Sequence, residues 1–371
     1  MYVDTSNRIC SSITETIGHT PLVYLHSVTQ GLEAKIAVKL EWVPCTSTSP
    51  ARRKDRVGVY MIEKAVQEGR LKPGSVIIEP TSGNSGIALA AACAAKKFKL
   101  ILVMSSGMSL ERRTLLRAYG AQVVLTPAEL GVQGSDRPRS RAEGNRPEFH
   151  HPESSLSECF LHFNRSFFAD PNNVAAHYEG TGPEIWQQTA GQVDVFCAGV
   201  GTGKRRALRG TLSGVGKFLK EKKPAVKIFA VEPVESAVLA GKPAGPHLIV
   251  SPPLFIVDHS SHQPGIGIGS RPANLLPVYE GIIGIRSMDA VEMARRLALE
   301  EGILAGISAG ANVLAAIELA RLPENKDKDK LIVTTIPDFG ECAPRRRDAR
   351  ALWPESQTAS CLADDRKKYS C

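Results

Sequence analysis

SVIIEPTSGNSGIALAAACAAKKFKLILVM, residues 75–104, decides the fold. SVIIEP (75–80) and KLILVM (99–104) are short apolar, β-branched runs bounded by turn residues, the pattern of buried strands. GIALAAACAAKKF (86–98) is long enough for a helix, and its small side chains allow close packing. Two strands joined by a helix lie parallel in one sheet.

The same alternation extends in both directions. Upstream, KIAVKLE (35–41) reads as a strand and DRVGVYMIEKAVQEG (55–69) as a helix with Val57, Tyr60, Met61, Ala65 and Val66 on one stripe. Downstream come a helix over 109–120 capped by Ser109, and a strand over 121–126. After a gap the spacing predicts helices over 181–191, 289–302 and 308–322, and strands over 193–200, 226–233, 280–287 and 330–338. The fold class is therefore α/β, with twisted, mostly parallel sheets flanked by helices. At 371 residues the chain exceeds what one core usually serves, so two domains are expected. Residues 130–165 show neither period and read as loop, and the chain after Glu341 is likewise irregular.

Composition narrows the function. With 43% hydrophobic and 23% charged residues the chain is globular. The longest run of small apolar residues is too short to span a bilayer, so no membrane role is expected. The amino terminus has neither the layout of a secretory signal nor that of a transit peptide, which points to the cytoplasm. Eight cysteines with no C-x-x-C pair argue against a metal site or disulfide framework and read as ordinary thiols. A net charge of +8 sits largely in runs such as Lys204-Arg205-Arg206, without interleaved aromatics, so nucleic acid is not the expected partner. An anionic cofactor or substrate explains part of that charge better.

Three features fall where an α/β fold puts its chemistry, just past strand ends at helix starts. Thr81-Ser82-Gly83-Asn84-Ser85-Gly86 combines flexible glycines with hydroxyl and amide side chains, which suits a carboxylate; alone it reads equally as a Ser/Asn helix cap. Gly201-Thr202-Gly203, resuming at Gly210-Thr211 after a basic stretch, suits a phosphate but fits neither nucleotide motif. Lys54-Asp55-Arg56 opens a helix. Lysines there are mostly solvated, but one facing a cleft beside other cations has a depressed pKa and can form a Schiff base.

The ordered runs KDRVG-x-YMIEKA, EPTSGNSGIALA, MSLERRTLLRAYGAQVVLT, HYEGTGPEIW, AGVGTG, AVEPVESAVL, GISAGA and LIV-x-x-IPDFGE resemble plant-type cysteine synthase, O-acetylserine (thiol)-lyase, across residues 12–130 and 171–341. The resemblance implies a fold type II pyridoxal-phosphate enzyme, similar to tryptophan synthase β. A large domain of residues 12–49 and 151–341 would enclose a smaller mobile one of 50–150, followed by an irregular tail at 342–371. Lys54 would carry pyridoxal 5'-phosphate as a Schiff base and also remove the substrate's α-proton. Asn84 would bond the cofactor's 3′-oxygen, and Thr81, Ser82 and Ser85 the substrate carboxylate. Gly201, Thr202, Gly203, Gly210 and Thr211 would grip the phosphate, and Ser308 would meet the pyridine nitrogen. The reaction implied replaces the acetate of O-acetylserine by sulfide to give cysteine. The family also implies a homodimer and a cleft that receives the carboxyl-terminal tail of serine acetyltransferase. Two other readings stand beside this one. β-Cyanoalanine synthase shares the fold, though Met108-Ser109-Leu110-Glu111 favours cysteine synthase, and a non-catalytic member would act through the acetyltransferase tail.

The departures from the family fall at functional loops. Thr46 to Arg53 supply eight residues where the family has about three. Lys204 to Arg209 divide the phosphate loop, and residues 250–264 are an extra segment before Gly265. Ser166-Phe167-Phe168 replaces a run containing a substrate-binding glutamine, and the chain ends atypically from Cys342. Lengthened loops cost only about 1 kcal/mol or less in closure entropy, whereas about 1 Å of misplacement can cost about 10²-fold in catalysis.

Overall fold

The computed structural model describes residues 9–41, 53–81, 84–106, 110–127, 160–162, 170–200, 210–243, 245, 247, 249 and 278–338, with backbone alone at 53, 54, 84, 110–112 and 160–162. The chain enters through β1 (Leu22–Tyr24) and β2 (Lys35–Leu40), then leaves them for a smaller sheet. That sheet holds β3 (Val76–Pro80), β4 (Lys99–Ser105), β5 (Gln122–Thr126) and β6 (Phe160–His162), in the order β5-β4-β3-β6, all parallel. Its helices are α1 (Arg53–Gln67), α2 (Asn84–Lys96) and α3 (Leu110–Ala118).

The chain then returns to the larger sheet. α4 combines Asn172–Ala176, a π-helical turn at His177–Thr181, and Gly182–Gln188. β7 (Val195–Gly199), α5 (Gly210–Lys222), β8 (Lys227–Pro233), β9 (Gly281–Ile285), α6 (Ser287–Glu301), α7 (Ile307–Ala320) and β10 (Leu331–Ile336) follow. The strand order is β1-β2-β10-β7-β8-β9, parallel except for β1. β10 therefore slots between an early strand and a late one, pairing Leu331 with Lys35 and Ile336 with Leu40.

Every residue of β7 and β10 is buried, as expected of central parallel strands covered on both faces. α7 (ISAGANVLAAIELA) is buried almost all round and crosses α6 closely. A Cβ at Gly310 would stand 2.1 Å from the Ala290 carbonyl oxygen, so only glycine permits that crossing. α6 ends at Gly302, whose φ of 70° places it in the left-handed region that favours glycine.

Two expectations need correcting. On α1 the buried stripe is Val57, Met61, Ile62 and Ala65, while Val66 is exposed, being half a turn round from Val57. Phe160–His162, read as loop, is a strand: the open edge of β3 offers backbone partners that need no side-chain periodicity. The expected cap Ser109 lies outside the described residues. No described helix is long and apolar enough to cross a membrane.

Candidate active site

β3 ends at Pro80, and Thr81 turns the chain toward α2. Thr81 and Ser85 are both buried. α1 runs into β3 through a short turn and α2 runs out of it, so both lie against the strand direction and parallel to each other. They touch at Gly58, where a Cβ would stand 2.9 Å from the Ala88 carbonyl carbon and oxygen. Gly58 lies one turn beyond Lys54, and Ala88 one turn beyond Asn84. The two helices thus begin side by side. Lys54, second residue of α1, starts at the same end as the Thr81–Ser85 turn.

The larger sheet supplies the second group. Gly210 and Thr211 open α5, and both are buried. Thr211 Oγ1 lies 3.2 Å from His177 Nε2, in the π-turn of α4. α5 meets α4 backbone to backbone: a Cβ at Gly210 would stand 2.6 Å from the Asn173 carbonyl oxygen, and one at Gly214 2.4 Å from that of Val174. Ser308, second residue of α7, is buried. Just ahead of it, a Cβ at Gly306 would stand 2.5 Å from Asp338 Oδ1, which places the end of β10 against the start of α7. Asn312 fixes this arrangement. Its Oδ1 accepts from the Gly199 N–H at 2.8 Å and its Nδ2 donates to the Thr335 carbonyl at 2.8 Å. One buried amide thus ties the ends of β7 and β10 to α7, at the sheet edge where parallel α/β folds bind ligands.

A buried ionic cluster joins the two groups. Arg56, two residues beyond Lys54, donates to Glu184 on α4 through both guanidinium nitrogens, at 2.7 and 3.1 Å. It also reaches Glu41 at 3.4 Å, at the end of β2. Lys39 Nζ lies 2.8 Å from Glu184 and is fully buried. Burial alone would push the Glu184 carboxyl up, but Arg56 and Lys39 outweigh it and hold it at about 2. Burial pushes the Lys39 ammonium down against the pull of Glu184. From Glu41 the chain of contacts continues to Thr181 Oγ1 at 3.5 Å, its longest link, then to His177 Nδ1 at 2.9 Å and so to Thr211. The helix that carries Lys54 and the helix start at Thr211 are thereby connected through side chains.

Of the residues singled out in the sequence, Thr81 and Ser85 come together at the start of α2, beside the backbone of Lys54 and Asn84. Gly210, Thr211 and Ser308 stand on the larger-sheet side. Ser82, Gly201, Thr202 and Gly203 lie outside the described residues, as do the basic segment 204–209 and residues 250–264. Sequence reasoning missed Asn173, His177, Thr181, Glu41, Glu184 and Asn312. A signal existed for three of them: Asn173, His177 and Thr181 recur every four residues, the spacing of one helix face. The buried thiols of Cys93 and Cys197, pushed up to about 12 by burial, remain protonated at neutral pH and take no part.

A family profile described as pyridoxal-phosphate-dependent enzyme matches residues 13–338. The chain belongs to that family. Within it, the chain is 45% identical over 330 residues to cysteine synthase 3 of Caenorhabditis elegans, covering 88% of this chain and 86% of that one. It is 42% identical over 332 residues to a cysteine synthase of Staphylococcus aureus, covering 89% and 94%. Its fold is similar to the crystal structure of a cysteine synthase from Entamoeba histolytica, with a TM-score of 0.74, 38% identity and coverage of 92% and 90%. The groups present suit the family's cofactor. First-turn N–H groups of α5 and the Thr211 hydroxyl suit a phosphate. Among the described residues the buried Asn173 amide against Gly210 has no hydrogen-bond partner at either polar atom, leaving polar capacity at that helix start. The neutral hydroxyl of Ser308 suits a pyridine nitrogen.

Proposed function

We propose that this chain is a cysteine synthase, replacing the acetate of O-acetyl-L-serine by sulfide to give L-cysteine, with pyridoxal 5'-phosphate held on Lys54. One observation carries the reading: the Thr81–Ser85 turn and Lys54 start adjacent helices, in a chain 45% identical to a cysteine synthase over most of its length. That adjacency of the two helix starts supports a carboxylate site and a reactive amine working together, as chemistry at the α-carbon of an amino acid requires.

Each residue then has a task. The N–H groups at the start of α2, with the hydroxyls of Thr81, Ser82 and Ser85, bind the substrate carboxylate and fix the α-carbon's orientation. Asn84 bonds the cofactor's 3′-oxygen. Gly201, Thr202, Gly203, Gly210 and Thr211 would hold the phosphate, and the absence of a Cβ at Gly210 lets the start of α5 lie against α4. When bound, the cofactor supplies the electron sink that makes the substrate's α-proton acidic. Lys54 Nζ removes that proton as acetate leaves the β-carbon, and returns it once sulfur has taken acetate's place. Ser308, a neutral hydroxyl rather than a carboxylate, would meet the pyridine nitrogen without supplying a counter-charge, which would suit β-elimination rather than transamination.

The same reading makes the chain a cytoplasmic homodimer with a smaller mobile domain near residues 50–150, whose cleft also accepts the carboxyl-terminal tail of serine acetyltransferase. Exposed apolar side chains at Ile13, Val23 and Tyr24 support an interface near the amino-terminal edge strand. The test is purified protein loaded with cofactor and given O-acetylserine with sulfide or with cyanide. Sulfide-dependent cysteine formation, lost in Lys54→Ala, is the expected result. A protein that takes up no cofactor and forms no cysteine would overturn the reading.

A further inference from the structure

Asn173 is 3% exposed, and among the described residues neither its Oδ1 nor its Nδ2 has a hydrogen-bond partner. An unsatisfied buried amide is destabilising, so such a group calls for an explanation. Its surroundings give one. Oδ1 stands 2.1 Å from the position a Cβ would occupy on Gly210, so the amide lies directly against the first residue of α5. α5 is 13 residues long, and its first-turn N–H groups make that end electropositive. Ser213, in the same turn and three residues from Gly210, is also fully buried with its Oγ unpartnered. One helical turn beyond Asn173, His177 already bonds Thr211 at 3.2 Å. Polar groups without partners are thus gathered at one helix start, from two different helices.

We infer that Asn173 is a further positioning residue for the cofactor's phosphate: its amide N–H is the donor that α4 contributes to the anion seated at the start of α5. The inference rests on the cofactor reading above and extends it to a residue outside the glycine–threonine loop. An amide suits the place because it donates without adding a charge, and the acceptor its Nδ2 lacks is the one a phosphate oxygen supplies. Gly210 belongs to the same device, since any side chain there would occupy the space of the Asn173 amide.

The test compares two ligands that differ only at the phosphate. Wild type, Asn173→Ala and Asn173→Asp are titrated with pyridoxal phosphate and with pyridoxal, reading the absorption band of the lysine-bound form. Asn173→Ala should weaken pyridoxal phosphate binding about 10- to 100-fold, the range for one hydrogen bond to a charged group, and leave pyridoxal binding unchanged. Asn173→Asp, of the same shape but acidic, should weaken the phosphate form further still and again spare pyridoxal. Equal losses for both ligands, or no loss for either, would overturn the inference while leaving the cofactor reading intact. A wild-type protein that binds neither ligand overturns both. Urea unfolding of the cofactor-free variants separates a general loss of fold, which would weaken both ligands alike.

Discussion

Replacing Glu184 by glutamine tests the ionic cluster that ties α1 to the larger sheet. The carboxylate accepts from both Arg56 nitrogens, from Lys39 at 2.8 Å, and from the backbone N–H groups of His19 and Thr20 at 3.1 and 3.3 Å. A glutamine keeps the shape but removes the negative charge that the two buried cations Arg56 and Lys39 share. Breaking a buried pair on one side costs about 3–5 kcal/mol, and that loss is expected in urea unfolding at neutral pH. The pH dependence sharpens the test. The folded-state value of about 2 lies below the ordinary 4.5, so the contribution is present in full above the unfolded value and is lost as pH falls toward about 2. A drop of that size is worth about 3 kcal/mol. Wild type should lose this increment on acidification, and Glu184→Gln should not, so the two unfolding curves converge progressively between about pH 5 and about pH 2. A gap below about 1 kcal/mol at neutral pH, or one that stays constant on acidification, would refute the reasoning.

Other positions give independent checks. Gly210→Ala forces a methyl to within 2.1 Å of Asn173 Oδ1 and 2.6 Å of its carbonyl oxygen, so α4 and α5 must separate; an overpacking loss of about 1–3 kcal/mol is expected in urea unfolding. Asn312→Ala strands the Gly199 N–H and the Thr335 carbonyl in a buried setting, and should cost about 2 kcal/mol or more. Because Asn312 sits below the ends of β7 and β10, the same variant should also weaken cofactor uptake, measured by equilibrium titration.

The frame of the molecule was legible because each element buries a patterned face. The 75–104 stretch gave a strand, a helix and a strand within a residue or two of the observed ends, since apolar runs and turn residues act locally. The order of strands was not legible: nothing local in LIVTTI reveals that it inserts between β2 and β7. Phe160–His162 was missed for a related reason, because an edge strand is recruited by its neighbour's backbone and needs no pattern of its own. For the candidate site, Thr81, Ser85 and Thr211 were singled out because they sit at helix starts after strands or loops, and Ser308 through the family resemblance. Glu41, Arg56 and Glu184 read as ordinary charges. Arg56 and Glu184 lie 128 positions apart, and only the tertiary fold brings them together.

The most direct test of the central claim is where the cofactor attaches. Protein incubated with pyridoxal phosphate is reduced with borohydride, digested and analysed by mass spectrometry. The account predicts a single phosphopyridoxyl group on the peptide that contains Lys54, with no such adduct in Lys54→Ala. Attachment at another lysine, or an adduct that persists in Lys54→Ala, would contradict it.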